Sequence, residues 1–140
     1  MAALHFHFDI DGEDFSSAGE ASVETKKKLR QLGFPSDVIR RCSIAMYEGE
    51  INMVIHANGG SADVEVYPDK VVMVLEDHGP GIPNVELAMT EGYSTASEQI
   101  HNMGFGAGMG LPNMKRYTDS LKLETQVGVG TKLTMVVAVK

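Results

Sequence analysis

The order of its strand-like and helix-like hydrophobic patterns constrains the fold of this chain more than any other feature. Alternating, strand-like patterns cover Leu4–Ile10, Ala62–Tyr67, Lys70–Glu76, Leu121–Gln126 and Lys132–Val139. Helical patterns cover Asp14–Leu32, Ser36–Ala57 and Gly110 to about Asp119, with a short helix near Val85–Thr90. This order predicts an α+β fold, a two-layer sandwich with a mixed, mostly antiparallel sheet and the helices on one face.

Capping and breaking residues place the ends of the first two helices. Ser16 or Ser17 is expected to cap the first helix, and the run Gly33-Phe34-Pro35 to end it. Ser36 or Asp37 is expected to cap the second helix.

The size and charge of the chain predict one ordinary globular domain spanning residues 1–140. Its 140 residues suffice for a hydrophobic core, and 43% hydrophobic with 22% charged residues is typical of soluble domains. A net charge of −7 argues against a nucleic-acid partner. The apolar runs are far shorter than the ~20 residues of a membrane helix, and no signal peptide is visible. We therefore expect a cytoplasmic protein without membrane contact, and the single cysteine, Cys42, excludes an internal disulfide.

The first strand carries two histidines, His5 and His7, that would share one face. Such a pair could bind a metal ion. A half-exposed strand face is the favoured interpretation, because no third ligand lies nearby in the sequence.

The second helix carries Glu48, Asn52 and His56 at intervals of four residues, which gives one polar stripe. An Asn amide oxygen is a neutral, hard ligand suited to Mg²⁺. A carboxylate one turn earlier could accept the proton of an attacking hydroxyl or water. The alternative is a solvated helix face. Glu50 lies off the stripe and is expected at the surface.

The second informative segment, Asp77-His-Gly-Pro-Gly81, begins where a strand ends. Asp77 could accept a hydrogen bond from an exocyclic amine such as that of adenine. Gly79 and Gly81 would let a planar base pass close to the backbone. The alternative is a simple turn.

The third segment places Gly104, Gly106, Gly108 and Gly110 directly ahead of a helix. Exposed backbone amides there would form an anion site for phosphates. The segment is neither a Rossmann fingerprint nor a Walker loop, and a flexible loop is the alternative. Lys115 could reach a phosphate, although a surface lysine is the simpler interpretation.

In this order, Glu-x-x-x-Asn, Asp-x-Gly-x-Gly and Gly-x-Gly-x-Gly resemble the N, G1 and G2 boxes of the gyrase, Hsp90, histidine-kinase and MutL-type ATPases. The resemblance covers nearly the whole chain and implies the Bergerat ATP-binding fold. Within this superfamily the chain looks like the small bacterial anti-sigma-factor and switch-protein serine kinases. The pieces Glu91-Gly-Tyr-Ser-Thr95 and Gly108–Arg116 resemble the stressosome-associated branch in particular.

The resemblance implies a role for each matching position. Asn52 would bind Mg²⁺ and Glu48 would be the catalytic base. Asp77 would hold the adenine amine, with Gly79 and Gly81 beside the base.

The remaining matches concern the phosphates and the lid. The resemblance implies that Gly106, Gly108 and Gly110 lie at the phosphates, with Gly104 opening the same segment. Thr131 would lie near the adenine pocket. Residues 84–103 would be the ATP lid and carry Ser94 and Thr95, whose roles stay open.

The leading hypothesis is a serine-protein kinase that moves the γ-phosphoryl group of ATP to a serine of a STAS-domain antagonist. Several anti-sigma kinases carry an arginine just ahead of the last glycine pair, where this chain has Gly106-Ala107. The alternative is therefore a non-catalytic module in which ATP gates the binding of a regulatory partner such as a sigma factor.

Other readings of the chain remain open. The detached catalytic domain of a sensor histidine kinase would need a second chain for the phospho-accepting hairpin, and a purely structural domain would need all three motifs to be coincidental. A homodimer is compatible with the resemblance, since many such domains pair through the sheet face or first helix.

Overall fold

The computed structural model describes residues 4–11, 19–56, 59–79, 81 and 110–139. The described strands are β1 (Leu4–Asp11), β2 (Gly59–Tyr67), β3 (Lys70–Glu76), β4 (Ser120–Gln126) and β5 (Gly130–Ala138). The described helices are α1 (Glu20–Gln31), α2 (Ser36–His56) and α3 (Gly110–Arg116). The short helix expected near Val85–Thr90 and the lid at residues 84–103 lie outside the described residues.

The strands form one five-stranded sheet in the order β1-β2-β3-β5-β4. Each of the described pairings is antiparallel, where the sequence pattern allowed a mixed sheet. Tight turns join β2 to β3 and β4 to β5, whereas the long connection that contains α3 leads from β3 to the edge strand β4, and β5 returns between them. The predicted α+β class with helices against a largely antiparallel sheet is confirmed.

One face of the sheet is buried under the helices. Alternate residues of the three central strands point into this core, as the strand period of two requires. These sheet residues are Ala62, Val64, Val66, Val71, Met73, Leu75, Leu133, Met135 and Val137. Helix α2 contributes Cys42, Ala45 and Met46, all fully buried, so its central turns lie directly on the sheet.

The start of α1 differs from the prediction. The helix begins at Glu20, preceded by Gly19 in a left-handed conformation (φ 102°), with no side-chain cap of its own. The expected caps, Ser16 and Ser17, lie outside the described residues. Its cap comes instead from another helix, because the carboxylate of Glu50 accepts hydrogen bonds from the Ala21 and Ser22 amides at 3.1 and 3.2 Å.

The expectation that Glu50 lies at the surface is therefore wrong. Its side chain is only 2% exposed, since α1 covers the side of α2 from which it projects. A buried carboxylate is costly unless it is hydrogen-bonded, and the free amides at a helix N-terminus are suitable donors for a negative charge. Glu50 thus fixes the start of α1 on α2.

A second polar contact fixes the other end of α2 to the sheet. The Arg41 guanidinium bonds Asp119 and Asp37, each at 3.0 Å, and donates to the Ala138 carbonyl at 3.2 Å. Asp119 also accepts the Ala138 amide at 2.7 Å. Because Asp119 precedes β4 and Ala138 ends β5, this cluster joins the first turns of α2 to the far edge of the sheet.

His5 and His7 share the uncovered face of β1, as predicted. Nε2 of His5 and Nδ1 of His7 lie 2.9 and 2.8 Å from the same oxygen of Asp63 on β2, and Nε2 of His7 contacts Asp9 at 3.1 Å. Hydrogen bonds with Asp63 and then Asp9 raise the pKa of His7. Within the described ranges, no group of three or more His, Cys, Asp or Glu side chains is placed to hold a metal ion.

None of the described helices combines the length and the apolar character that crossing a membrane requires. Cys42 lies in the core as a free thiol, and its burial raises the thiol pKa to about 12.

Replacing Glu50 with Gln tests the contact between the helices. The amide can accept from only one of the two α1 amides and carries no charge to complement the helix end, so we expect a loss of about 1–3 kcal/mol in the free energy of unfolding. Urea denaturation followed by circular dichroism measures it. Glu24→Gln, on the exposed face of α1, is the matched control and should change stability by less than about 0.5 kcal/mol. Equal effects of the two changes would contradict the capping role.

Candidate functional site

Helices α2 and α3 and strand β3 come together at Gly49. A Cβ atom added there would overlap the side chain of Leu75 and lie 3.4 Å from the Met114 sulfur. Gly49 therefore permits a closer approach of the three elements than any other residue would. This contact brings the α2 turn that carries the neighbouring Glu48 close to α3.

The later turns of α2 approach the end of β3 at Gly60. A Cβ atom there would overlap the Glu76 carbonyl oxygen and lie 3.0 Å from the Met53 sulfur and 3.1 Å from the Asp77 Cα. From the sequence, the run Asn58-Gly59-Gly60 is expected only to end the second helix. Its position shows that Asp77 lies close to the α2 turn that carries Met53 and its neighbour Asn52.

Glu48 lies half-buried on α2, and Asn52 lies half-buried one turn further on. Burial raises the pKa of the Glu48 carboxyl, and a hydrogen bond from the side chain of Asn113 on α3 opposes that rise. The side chains of Glu48 and Asn52 lie on one face of α2, as their spacing of four residues predicts. The third member of the predicted stripe, His56, is the last residue of α2, and its side chain lies outside the described set.

Asp77 follows β3 and is held in one orientation by backbone contacts. Its Oδ1 accepts the Gly79 amide at 2.9 Å and the Thr131 amide at 3.2 Å, while its own amide donates to the Thr131 carbonyl at 2.9 Å. The bond to Gly79 closes an Asx turn. Among the described residues, none donates to Oδ2.

Thr131 connects Asp77 to the last hairpin. Its hydroxyl lies 2.9 Å from the hydroxyl of Thr125, its partner across β4 and β5. Gly130 and Thr131, expected just before the final strand, are its first two residues. At Gly130 the backbone has φ 147°, and an added Cβ would overlap the Asp77 carbonyl oxygen.

Gly81 packs against the turn between β4 and β5. It has φ 78°, and a Cβ atom there would lie 2.9 Å from the Val127 Cα. Both the positive φ and the close contact with the turn disfavour a side chain at this position. The glycines around Asp77 therefore let the backbone segments at this end of the sheet approach one another closely.

The structure places several predicted residues together and leaves others undescribed. Asp77, Gly79 and Thr131 are joined by hydrogen bonds at the end of β3, and Gly81 packs on the neighbouring turn. Asn52 lies on the α2 turn that comes close to Asp77, and Glu48 lies one turn earlier on the same helix. Gly110 begins α3. The remaining glycines of the third segment, Gly104, Gly106 and Gly108, lie outside the described residues.

Sequence reasoning missed two polar contacts at this site. Asn113 is a poor helix former between the buried Leu111 and Met114, and this position is the signal that could have singled it out. Thr125 carries no such signal, because threonine is ordinary in a strand.

Comparison with known proteins identifies relatives of this chain. Residues 38–140 match the family described as histidine kinase-, DNA gyrase B-, and HSP90-like ATPase. The serine/threonine-protein kinase RsbT of Bacillus subtilis is 32% identical over 108 residues, which cover 74% of this chain and 75% of the relative. An anti-sigma F factor of Clostridium kluyveri is 28% identical over 120 residues, covering 82% of this chain and 81% of the relative.

Two solved structures have a similar fold. The crystal structure of the RsbU and RsbW domains of Rv1364c from Mycobacterium tuberculosis matches with a TM-score of 0.65 at 14% identity, over 96% of this chain and 32% of that longer chain. The mycobacterial sensor histidine kinase MprB matches with a TM-score of 0.54 at 19% identity, over 96% of this chain and 97% of its own. At these identities the structures show the fold alone.

The contact between Gly130 and Asp77 predicts different effects for two glycines of one hairpin. Gly130→Ala combines backbone strain with overlap of the Asp77 carbonyl and should cost about 2–4 kcal/mol of stability. Gly128→Ala has φ 82° but open space around it, so only the strain of about 1 kcal/mol is expected. Urea denaturation of both variants measures the difference. Equal losses would show that the approach to Asp77 is not tight.

Proposed function

Because the chain belongs to the histidine kinase-, DNA gyrase B-, and HSP90-like ATPase family, which implies ATP binding, we propose that it is an ATP-dependent serine-protein kinase. Its substrate would be a serine of a small regulatory protein with a STAS domain. The observation that carries the proposal is Glu48, a half-buried carboxylate one turn before Asn52 on α2. The relative named as a serine/threonine-protein kinase supports it.

The residues around Asp77 fit an adenine. Oδ2 of Asp77 would accept a hydrogen bond from the exocyclic amine, while Oδ1 is kept in place by the Gly79 and Thr131 amides. Gly79 and Gly81 would border the plane of the base. The Thr131 hydroxyl would lie at the rim of the same pocket, fixed by Thr125.

The phosphates and the metal would lie between this pocket and α2. The amide oxygen of Asn52 is a suitable ligand for Mg²⁺, which prefers hard oxygen donors and keeps several waters. Gly104, Gly106, Gly108 and Gly110 would offer backbone amides to the phosphates. Bound Mg²⁺ would supply charge neutralisation at the phosphates.

Glu48 has the chemistry of a base for the acceptor serine. It would accept the proton that the hydroxyl loses as its oxygen bonds to the γ-phosphorus and ADP departs. Burial, which raises the pKa of Glu48, makes the carboxylate a stronger proton acceptor than an exposed one. Positioning of the two reactants would supply most of the remaining rate enhancement.

Anti-sigma factor relatives imply a regulatory protein as partner. We propose that this partner is a STAS-domain antagonist, that the protein acts in the cytoplasm, and that a homodimer is compatible with its function.

The second candidate function is nucleotide-gated binding without phosphotransfer. Gly106-Ala107 stands where several anti-sigma kinases carry an arginine that faces the γ-phosphate, and this observation favours it. A regulatory partner such as a sigma factor would then bind one nucleotide state more tightly than the other. Titration of the partner with ATP, with ADP and without nucleotide would reveal it, and equal affinities in all three would exclude it.

Replacing Glu48 with Gln separates catalysis from binding. The amide keeps the shape of the side chain but accepts no proton, so we expect phosphorylation of the cognate partner to fall about 100-fold or more. Affinity for ATP, measured by calorimetry, should stay nearly unchanged. Labelled ATP with Mg²⁺ and the STAS-domain proteins encoded by neighbouring genes provides the assay. Undiminished transfer by the variant would remove Glu48 from the mechanism.

Replacing Asp77 with Asn tests the base pocket. Asn can keep the internal bonds through its oxygen, which turns an amide donor toward the adenine amine and should weaken ATP binding about 10–100-fold. GTP, which presents a carbonyl at that position, should lose no affinity. Asp69→Asn, in the exposed turn between β2 and β3, is the control for the loss of one charge. A parallel loss for both nucleotides would refute the contact with the amine.

A further inference from the structure

The core-facing side of the hairpin formed by β4 and β5 ends in a polar pair. Thr125 and Thr131 lie directly opposite each other, and both are half-buried. The strand period of two places them on the same face as two apolar pairs that belong to the core or pack against it, Leu121 with Met135 and Leu123 with Leu133. Polar groups on such a face need hydrogen-bond partners. The partners of the two hydroxyls therefore decide what this pair can do.

Backbone contacts fix Thr131 relative to the Asp77 carboxylate. The Thr131 amide donates to Asp77 Oδ1 at 3.2 Å, and the Thr131 carbonyl accepts the Asp77 amide at 2.9 Å. The hydroxyl of a threonine branches from the carbon next to Cα, so these bonds also keep the Thr131 hydroxyl close to the carboxylate. Rotation about the Cα–Cβ bond is the freedom that remains to it.

Thr125 restricts that rotation. Its hydroxyl oxygen lies 2.9 Å from that of Thr131, within the usual range for a hydrogen bond between hydroxyl groups. The same oxygen lies 3.3 Å from the Gly130 carbonyl oxygen, which is long for a bond of this kind. A hydroxyl has one proton to donate and can also accept. When Thr125 donates to Thr131, the proton of Thr131 is available to a ligand, and only the long contact with Gly130 is lost.

An acceptor beside a donor matches one edge of adenine. The exocyclic amine of adenine donates and the neighbouring ring nitrogen N1 accepts, whereas guanine presents a carbonyl oxygen and an N1–H group at these positions. The Asp77 carboxylate accepts, and a Thr131 hydroxyl supported by Thr125 donates. This arrangement is complementary to adenine and opposite to guanine. A site of this kind discriminates because the wrong base leaves its polar groups unpaired.

We propose that Thr125 is a positioning residue for the base, whose hydroxyl donates to Thr131 so that Thr131 donates to N1 of the bound adenine. The proposal rests on the proposed placement of adenine at Asp77 and does not depend on phosphotransfer. In the converse arrangement Thr131 would donate to Thr125 and could only accept from a ligand. N1 of adenine, which carries no proton, would then gain nothing from Thr131.

Three variants test this role. Thr125→Val removes the hydroxyl and keeps a β-branched side chain, whereas Thr125→Ser keeps the hydroxyl. Thr134→Val makes the same change on the opposite face of β5 and is the matched control. Urea denaturation first establishes that each variant is folded.

The measurement is the affinity for three nucleotides, determined by calorimetry in buffer containing Mg²⁺. The nucleotides are ATP, 1-deaza-ATP, in which a C–H group replaces N1, and purine riboside triphosphate, which lacks the exocyclic amine. The unsubstituted protein should bind 1-deaza-ATP about 3–10-fold more weakly than ATP, because one hydrogen bond is lost.

The variants should separate N1 from the rest of the base. Thr125→Val should bind ATP about 3–10-fold more weakly than the unsubstituted protein does. It should bind 1-deaza-ATP with unchanged affinity, because the contact that Thr125 supports is already absent there. Purine riboside triphosphate keeps N1, so its affinity should fall in Thr125→Val by the same factor as that of ATP. Thr125→Ser and Thr134→Val should keep the affinity for ATP.

Two kinds of result would overturn the proposal. An equal loss of affinity for ATP and 1-deaza-ATP in Thr125→Val would show general damage to the pocket, and no loss for ATP would show that Thr125 has no role. Equal binding of ATP and 1-deaza-ATP by the unsubstituted protein would show that N1 receives no proton from the site.

The nucleotide series also keeps this proposal distinguishable from the proposed function. Absence of phosphotransfer to the cognate partner would contradict the kinase activity and leave the role of Thr125 to be decided by calorimetry. Equal binding of ATP and purine riboside triphosphate by the unsubstituted protein would contradict the contact between Asp77 and the amine. The comparison of ATP with 1-deaza-ATP would still decide the role of Thr125.

Discussion

Helix α2 approaches the sheet closely at Gly49, where a side chain of any size would overlap Leu75 on β3 and crowd Met114 on α3. Glycine in a helix interior weakens the helix by about 1 kcal/mol relative to alanine. The close approach offsets this cost, because it lets two helices and a central strand share one part of the core. The position of Glu48, and of the Asn113 amide that reaches it, follows from this contact.

Helix α2 carries two carboxylates whose surroundings differ. Glu48 and Glu50 are two residues apart, about 200° around the helix axis. Glu50 is covered by α1 and accepts backbone amides there, whereas Glu48 faces α3 and receives one side-chain amide. The helix therefore carries both a structural carboxylate and the proposed catalytic base, and each contacts a different neighbouring helix.

Local patterns predicted the parts of the fold that depend on local chemistry. The bounds of β3 were predicted as found, and those of α2 to within one residue, because alternation and capping residues mark them. The start of α1 was misplaced, since its cap is a carboxylate 28 residues away along the chain.

The site followed the same division. Asp77 and Thr131 were predicted from their motifs, and the structure brings them within hydrogen-bonding distance. The burial of Glu50 and the contact of Asn113 depend on how helices pack, which no spacing of residues encodes.

Cys42 lies on the buried face of α2 with no exposed surface, and burial, which disfavours the thiolate, raises its thiol pKa to about 12. Only the thiolate reacts readily with electrophiles and oxidants. Cys42 is the one cysteine in the chain, and it does not react with thiol reagents while the core stays packed. The rate at which a thiol reagent modifies Cys42 therefore measures how often α2 separates from the sheet. A cysteine introduced at the surface could be labelled without competition from Cys42.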